Sequence, residues 1–165
     1  MNLVYKHTSG GCLWQGDEED VEHLSKSPDQ NITVIALMAR EIQPDLPDTY
    51  RTLRGSLLDD PVMGPKELLF TKKSADRISD ELADQIRQGV SVLSSCAMGW
   101  NRSGIVSALT LMKLDGQNPE DAVDAVRRAR SSMALSNPLF VKILHGMKDC
   151  IGSKSAWTNW DSSSS

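Results

Sequence analysis

Basic charge, cysteine and long apolar stretches are all scarce in this chain. Its 18 lysines and arginines are outnumbered by 22 acids, for a formal net charge of -4. That balance supplies no broad positive field of the kind nucleic acids and anionic membranes draw on. No apolar run approaches the length a bilayer crossing needs. The opening residues, MNLVYKHTSGG, lack the apolar core of a secretory signal. A cytoplasmic location and no membrane partner are therefore expected. The three cysteines, Cys12, Cys96 and Cys150, are odd in number and far apart, which is no disulfide framework. The three histidines, His7, His23 and His145, are scattered and make no metal-ligand spacing with them. Neither a metal nor a cofactor is expected.

What remains is an ordinary globular composition, 39% hydrophobic and 24% charged over 165 residues, enough for one domain with its own core. Residues 1–151 are expected to form that domain. Residues 152–165 turn Ser-rich, end in WDSSSS and are expected to be a disordered tail, although Trp157 and Trp160 are unusual for one. Within the domain there is no internal repeat, and strand-like and helix-like segments alternate. Cys12–Gly16 suits a short strand, Asp17–Lys26 a short helix with an acidic start, and Ile32–Met38 (ITVIALM) a buried strand. Residues 40–50 carry Pro44 and Pro47 and read as loop, a further strand is expected within 52–58, and 59–64 reads as turn. Ile78, Leu82 and Ile86 recur every four residues, predicting a helix over 74–88 that stops at Gly89. Val90–Leu93 is a short strand and 104–114 an apolar helix. Asn118-Pro119 and Asn137-Pro138 each open a helix as N-cap followed by proline, ending near Arg130 and Lys148. The pattern predicts an α/β domain with a twisted, mostly parallel central sheet of about five strands flanked by helices. In such sheets, sites lie where a strand's carboxyl end meets the next helix.

The stretch SSCAMGWNRSG, residues 94–104, holds that position. A strand, a short loop and a helix start together make an anion cradle, with backbone N–H groups and a positive helix end pointing inward. Gly99 lets the loop curl, and Arg102 offers a planar fork for two phosphate oxygens. A cysteine at the base of the cradle, beside a helix start and a guanidinium, is favoured as thiolate. Cys96 then attacks phosphorus to form a thiophosphate intermediate. Arg102 and the amides of residues 97–102 (Ala97, Met98, Gly99, Trp100, Asn101, Arg102) hold the equatorial oxygens without a metal. Ser103 helps the thiolate leave, and an acid from another loop protonates the leaving oxygen. The plainer reading is a buried packing cysteine in a tight turn.

Cys96, Gly99, Arg102 and Ser103 resemble the His-Cys-x-x-Gly-x-x-Arg-Ser/Thr signature of the cysteine-dependent protein tyrosine phosphatases, specifically the small dual-specificity phosphatases. LWQGDEEDVEHL, ITVIALM, LLDDP and ARSSMALSNPLFVKIL are similar to further family segments, in the same order, over about residues 10–150. The resemblance implies the phosphatase fold, Cys96 as nucleophile, Arg102 as phosphate clamp, Ser103 as helper in hydrolysis of the intermediate, and an aspartate acid from LLDDP. Of the adjacent Asp59 and Asp60, Asp60 is favoured because it directly precedes the turn. Ser95 departs from the family, which has histidine there. A serine hydroxyl is expected to serve the loop in its place, and a catalytically weak phosphate-binding module is the alternative.

Among substrates, a phosphorylated protein or peptide comes first, phosphotyrosine foremost and phosphoserine or phosphothreonine after it. GWNRSG also resembles RNA 5′-triphosphatases of the capping-enzyme type, but the acidic balance and the aspartate pair rank a 5′-triphosphate RNA second. Phosphoinositides rank third, because Ala97 and Met98 are neutral. Trp100 either packs on the domain or touches substrate. Arg127, Arg128 and Arg130 are expected to form a solvated basic face, and Asn137 a helix cap. The oligomeric state is left open, with a monomer the default.

Overall fold

The computed structural model describes residues 1–151. The tail expected at 152–165, with Trp157 and Trp160, lies outside the described residues. The five strands run in the order β1-β2-β5-β3-β4: β1 is Asn2–Lys6, β2 Cys12–Gly16, β3 Ile32–Leu37, β4 Arg51–Arg54 and β5 Ser91–Ser95. Only the edge pair β1–β2 is antiparallel, and every other pairing is parallel. The mostly parallel sheet of five strands is as expected.

Each strand splits its side chains between two faces. On one face Val34, Ala36, Leu13 and Val92 meet helices α2 (Pro65–Arg87), α3 (Arg102–Asp115), α4 (Pro119–Ala129) and α5 (Pro138–Met147). On the other, Ile35, Leu37 and Leu93 pack against Val21 and Leu24 of α1 (Glu18–Lys26) and against Tyr50. A continuous apolar strand such as ITVIAL is what two covered faces require. Helix α1 begins as predicted. Asp17 caps it, and Asp17 and Asp20 form a reciprocal capping box. Asn118 and Asn137 cap α4 and α5 through their side-chain oxygens.

Two elements depart from expectation. Helix α2 starts at Pro65, nine residues before the predicted Ser74, with proline at N1 after Gly64. Its first turns carry exposed Lys66, Glu67 and Phe70, so the four-residue apolar period begins only deeper in the helix. Strand β1 was not anticipated. It is an edge strand with intermediate and exposed residues throughout, so it lacks the alternation that marks a half-buried strand. At the other end of the sheet, Ser95 is in register with both Gly16 and Leu37. The carboxyl ends of the three central strands therefore finish level, and residue 96 emerges among them.

Candidate active site

Residues 96–101 link β5 to α3, and α3 begins at Arg102. The chain bends at Gly99, where φ is +68° and a Cβ would lie 2.6 Å from Gly16 O and 2.8 Å from Arg130 Nη2. Only glycine meets both conditions.

Four successive carbonyls of the loop are tied outward, each to a different part of the chain. Ala97 O accepts from Glu18 N at 3.3 Å, Met98 O from Arg130 Nη2 at 3.4 Å, Gly99 O from Gln15 Nε2 at 2.9 Å and Trp100 O from Leu135 N at 3.1 Å. With the carbonyls turned out, the peptide planes turn their N–H groups inward. Among the described residues no acceptor is found for the N–H groups of 97–102. Four of these donors, the N–H groups of 98–101, lie opposite the tied carbonyls and beside the positive end of a 14-residue helix, an arrangement suited to an anion.

Cys96 sits at the base of this ring, 3% exposed, with its Sγ 3.2 Å from the fully buried Ser103 Oγ. Arg102 closes one side. Its Nη2 is 2.8 Å from Glu41 Oε1, while its Nε is buried without a partner. Burial disfavours the guanidinium charge. The bond from Glu41 and the charges of Cys96, Glu41 and Asp59 more than offset it, and the Arg102 pKa lies above the ordinary arginine value. The same bond to Arg102 holds the Glu41 carboxyl below the usual range. The Nε thus remains a buried donor with no acceptor among the described residues.

The aspartate pair divides. Asp59 accepts from Asn101 Nδ2 at 3.1 Å and from Asn137 Nδ2 at 2.9 Å, and Asn101 Oδ1 in turn accepts from Asn137 N at 3.0 Å. This brings Asp59 to the rim of the cradle. Asp60 instead accepts from Val62 N at 2.9 Å within its own turn. Met98 is exposed at the mouth, Ala97, Trp100 and Asn101 are half-buried, and Gly99 is buried.

Two sequence expectations need correction. The Ser95 hydroxyl, expected to serve the loop, donates across the sheet to Ala36 O at 2.8 Å and is 1% exposed. Arg127 and Arg130 are not a solvated face. Arg127 donates to the carbonyls of Ala134 and Leu135, each at 3.0 Å. Arg130 spans Asn2 Oδ1, the Asp17 carboxylate and Met98 O. Only Arg128 of the three is exposed. Gln15 and Glu41 were not anticipated at the site. Gln15 is a fully buried polar residue on β2, and a glutamine inside an otherwise apolar strand is the signal that marks it. Glu41 follows the carboxyl end of β3, the one hint being its place in the topology. Among the described residues no cluster of His, Cys, Asp and Glu could hold a metal ion, and no helix is long and apolar enough to cross a membrane.

No family model and no curated protein matches the sequence. Solved structures do match the fold. Human DUSP28 is 22% identical over 91% of this chain and 96% of its own, with a TM-score of 0.69. DUSP15 is 21% identical over 96% and 94%, with a TM-score of 0.70. The human tyrosine phosphatase-like serine/threonine/tyrosine-interacting protein is 22% identical over 91% and 96%, at 0.66. The agreement spans nearly the whole described domain, and this chain has the fold of the small dual-specificity phosphatases.

Proposed function

We propose that this chain is a metal-independent phosphatase that hydrolyses phosphomonoesters on proteins through a cysteinyl-phosphate intermediate. The observation that carries the reading is the cradle itself. Its carbonyls are tied outward, its amides are free of protein acceptors, and the Arg102 Nε is unpartnered above a buried cysteine sulfur. A packing cysteine needs none of these.

In the first step the Cys96 thiolate attacks phosphorus, the S–P bond forms, and the bond to the leaving oxygen breaks. The equatorial oxygens stay on the amides of 97–102 and on Arg102. A carboxylic acid gives its proton to the leaving oxygen. We assign that role to Asp59 rather than Asp60. Asp59 is linked through Asn101 to the cradle, whereas Asp60 is engaged in its own turn. In the second step water attacks phosphorus, the carboxylate takes its proton, and the S–P bond breaks to return the thiolate. Ser103 donates to that sulfur as it leaves. Phosphotyrosine on a protein is the leading substrate, with phosphoserine and phosphothreonine after it and RNA 5′-triphosphate second as a class.

The test is phosphate release in EDTA from a phosphotyrosine peptide, a phosphothreonine peptide and a 5′-triphosphate RNA, wild type against Cys96→Ser. Release from a peptide that the substitution abolishes is the expected result. Release from RNA alone makes the chain a triphosphatase. Phosphate bound but never released makes it a binding module with serine at position 95. Asp59→Asn and Asp60→Asn, run in parallel, assign the acid: the correct one loses turnover on a phosphopeptide far more than on an aryl phosphate whose leaving group needs no proton.

A further inference from the structure

Two grooves share the segment that follows β3, and they carry opposite charge. The first, of about 470 Å³, lies between the 39–43 segment, the end of β4 and α2, and is lined by Arg40, Arg54, Arg77, Ser56, Ser74 and Phe70. Among the described residues none of these three arginines has a carboxylate partner. Backbone carbonyls aim two of them: Arg54 Nη1 donates to Ile42 O at 3.3 Å and Arg77 Nη2 to Arg54 O at 3.1 Å. In a chain with an excess of acid, three arginines around one hollow with no anion of their own form a concentrated positive site. Arg40 adjoins Glu41, whose carboxylate is on Arg102 at 2.8 Å, so one short segment both lines the groove and reaches the cradle arginine.

The second groove, of about 510 Å³, lies on the other side of the same segment. Its lining includes Glu18, Glu19, Glu22 and Asp45, against one lysine, Lys26, which is already paired with Glu22 at 2.6 Å. Gln43 lines both grooves. The acidic groove also adjoins the cradle, because Glu18 N donates to Ala97 O.

We propose that the protein selects phosphopeptides by a charge dipole about the phosphorylated residue. Acidic side chains on one flank fit the Arg40–Arg54–Arg77 groove, and basic side chains on the other fit the Glu18–Glu19–Glu22–Asp45 groove. The inference rests on the phosphatase reading for turnover but not for binding. A nucleic-acid strand crossing the cradle meets repulsion in the second groove, since its charge has one sign throughout. A dipolar peptide meets attraction in both, in one chain direction only, because the two grooves are fixed relative to the cradle.

Four peptides share one central phosphotyrosine: acidic residues before it and basic after, the reverse order, alanine on both sides, and acidic on both sides. Affinity is measured with Cys96→Ser, and kcat/KM with the wild type, at low and high salt. One dipolar order should exceed its reverse by roughly tenfold at low salt, with the gap narrowing as salt screens exposed charges. Arg40→Glu with Arg77→Glu should erase that gap and leave the alanine peptide unchanged. Equal affinity for both orders, or a gap that survives the double reversal, overturns the proposal. So does tighter binding of a 5′-triphosphate RNA than of either dipolar peptide. If no peptide is turned over but the order preference holds in binding, the phosphatase reading fails and this one stands.

Discussion

Replacing Ser103 by alanine separates the two chemical steps. The Ser103 hydroxyl is fully buried, and among the described residues its one hydrogen-bond partner is Cys96 Sγ, 3.2 Å away. In the proposed mechanism the sulfur carries negative charge before the first step, shares it with phosphorus in the intermediate, and regains it as the second step proceeds. A donor at that distance therefore lowers the barrier to breaking the S–P bond. A hydrogen bond to a charged group is worth about 1.5–3 kcal/mol. Sulfur is a diffuse acceptor, so the lower end applies, and about 1.5 kcal/mol corresponds to roughly tenfold in rate. The first step gains little from the hydroxyl, because stabilising the thiolate also makes it a weaker nucleophile. With p-nitrophenyl phosphate, Ser103→Ala should show a burst of nitrophenol approaching one per active site. Its kcat should fall about tenfold while kcat/KM stays within about threefold. Parallel losses in kcat and kcat/KM with no burst would refute the assignment, and a thermal melt run alongside would show whether packing had failed instead.

Three further outcomes follow from the same contacts. Gly99→Ala combines a positive φ with contacts of 2.6 and 2.8 Å, whereas Gly116→Ala, at φ +62°, meets open space. Calorimetry should show a cost of about 1 kcal/mol for the second and several times that for the first; equal costs would mean the loop can shift. Ser95→His, which restores the residue of the resembled family, inserts a ring where the hydroxyl is 1% exposed and bonded to Ala36 O. It should lower stability by about 1–3 kcal/mol without raising kcat, and a variant both stable and faster would show room that the packing denies. For Asp17, burial raises the pKa, but the Asp20 amide and Arg130 outweigh it and leave it below the ordinary 3.8. A depressed carboxyl contributes stability above its unfolded pKa and loses it as pH falls through the folded value. Asp17→Asn should therefore lower Tm at neutral pH, with the difference closing below about pH 4. A pH-independent difference would point to packing rather than charge.

How far the sequence could be read depended on the range of the interaction. Local signals worked. Asn118 and Asn137 sit as caps where the prolines after them put them, and the acidic start of α1 falls within one residue of its expected place. Glycine at 99 falls at the bend of the loop, and arginine at 102 at the start of the helix that follows it. Partners distant in sequence stayed hidden. Arg130 looks like part of a basic run until the fold brings Asn2, 128 positions away, against it. Gln15 and Gly99 are 84 apart, and Asp59 and Asn137 are 78 apart. The choice between Asp59 and Asp60 had no local solution, since both precede the same turn and only the amides of Asn101 and Asn137 distinguish them. The early half of α2 was hidden for another reason: helical spacing is visible only where one face is buried, and its first turns are largely in solvent.

The outward ties of the cradle have a consequence for the order in which the chain becomes competent. The nucleophile proposed above is residue 96, but the loop that holds it takes its shape from Gln15 and Glu18 before it and from Arg130 and Leu135 after it. A nascent chain with 96–104 already free of the ribosome still lacks two of the four anchors. Its peptide planes are free to rotate, and Cys96 lies in an unformed turn. Phosphate binding should therefore switch on late and all at once, after α4 and the turn beyond it have docked. The cradle around Cys96 is thus complete only inside a finished domain.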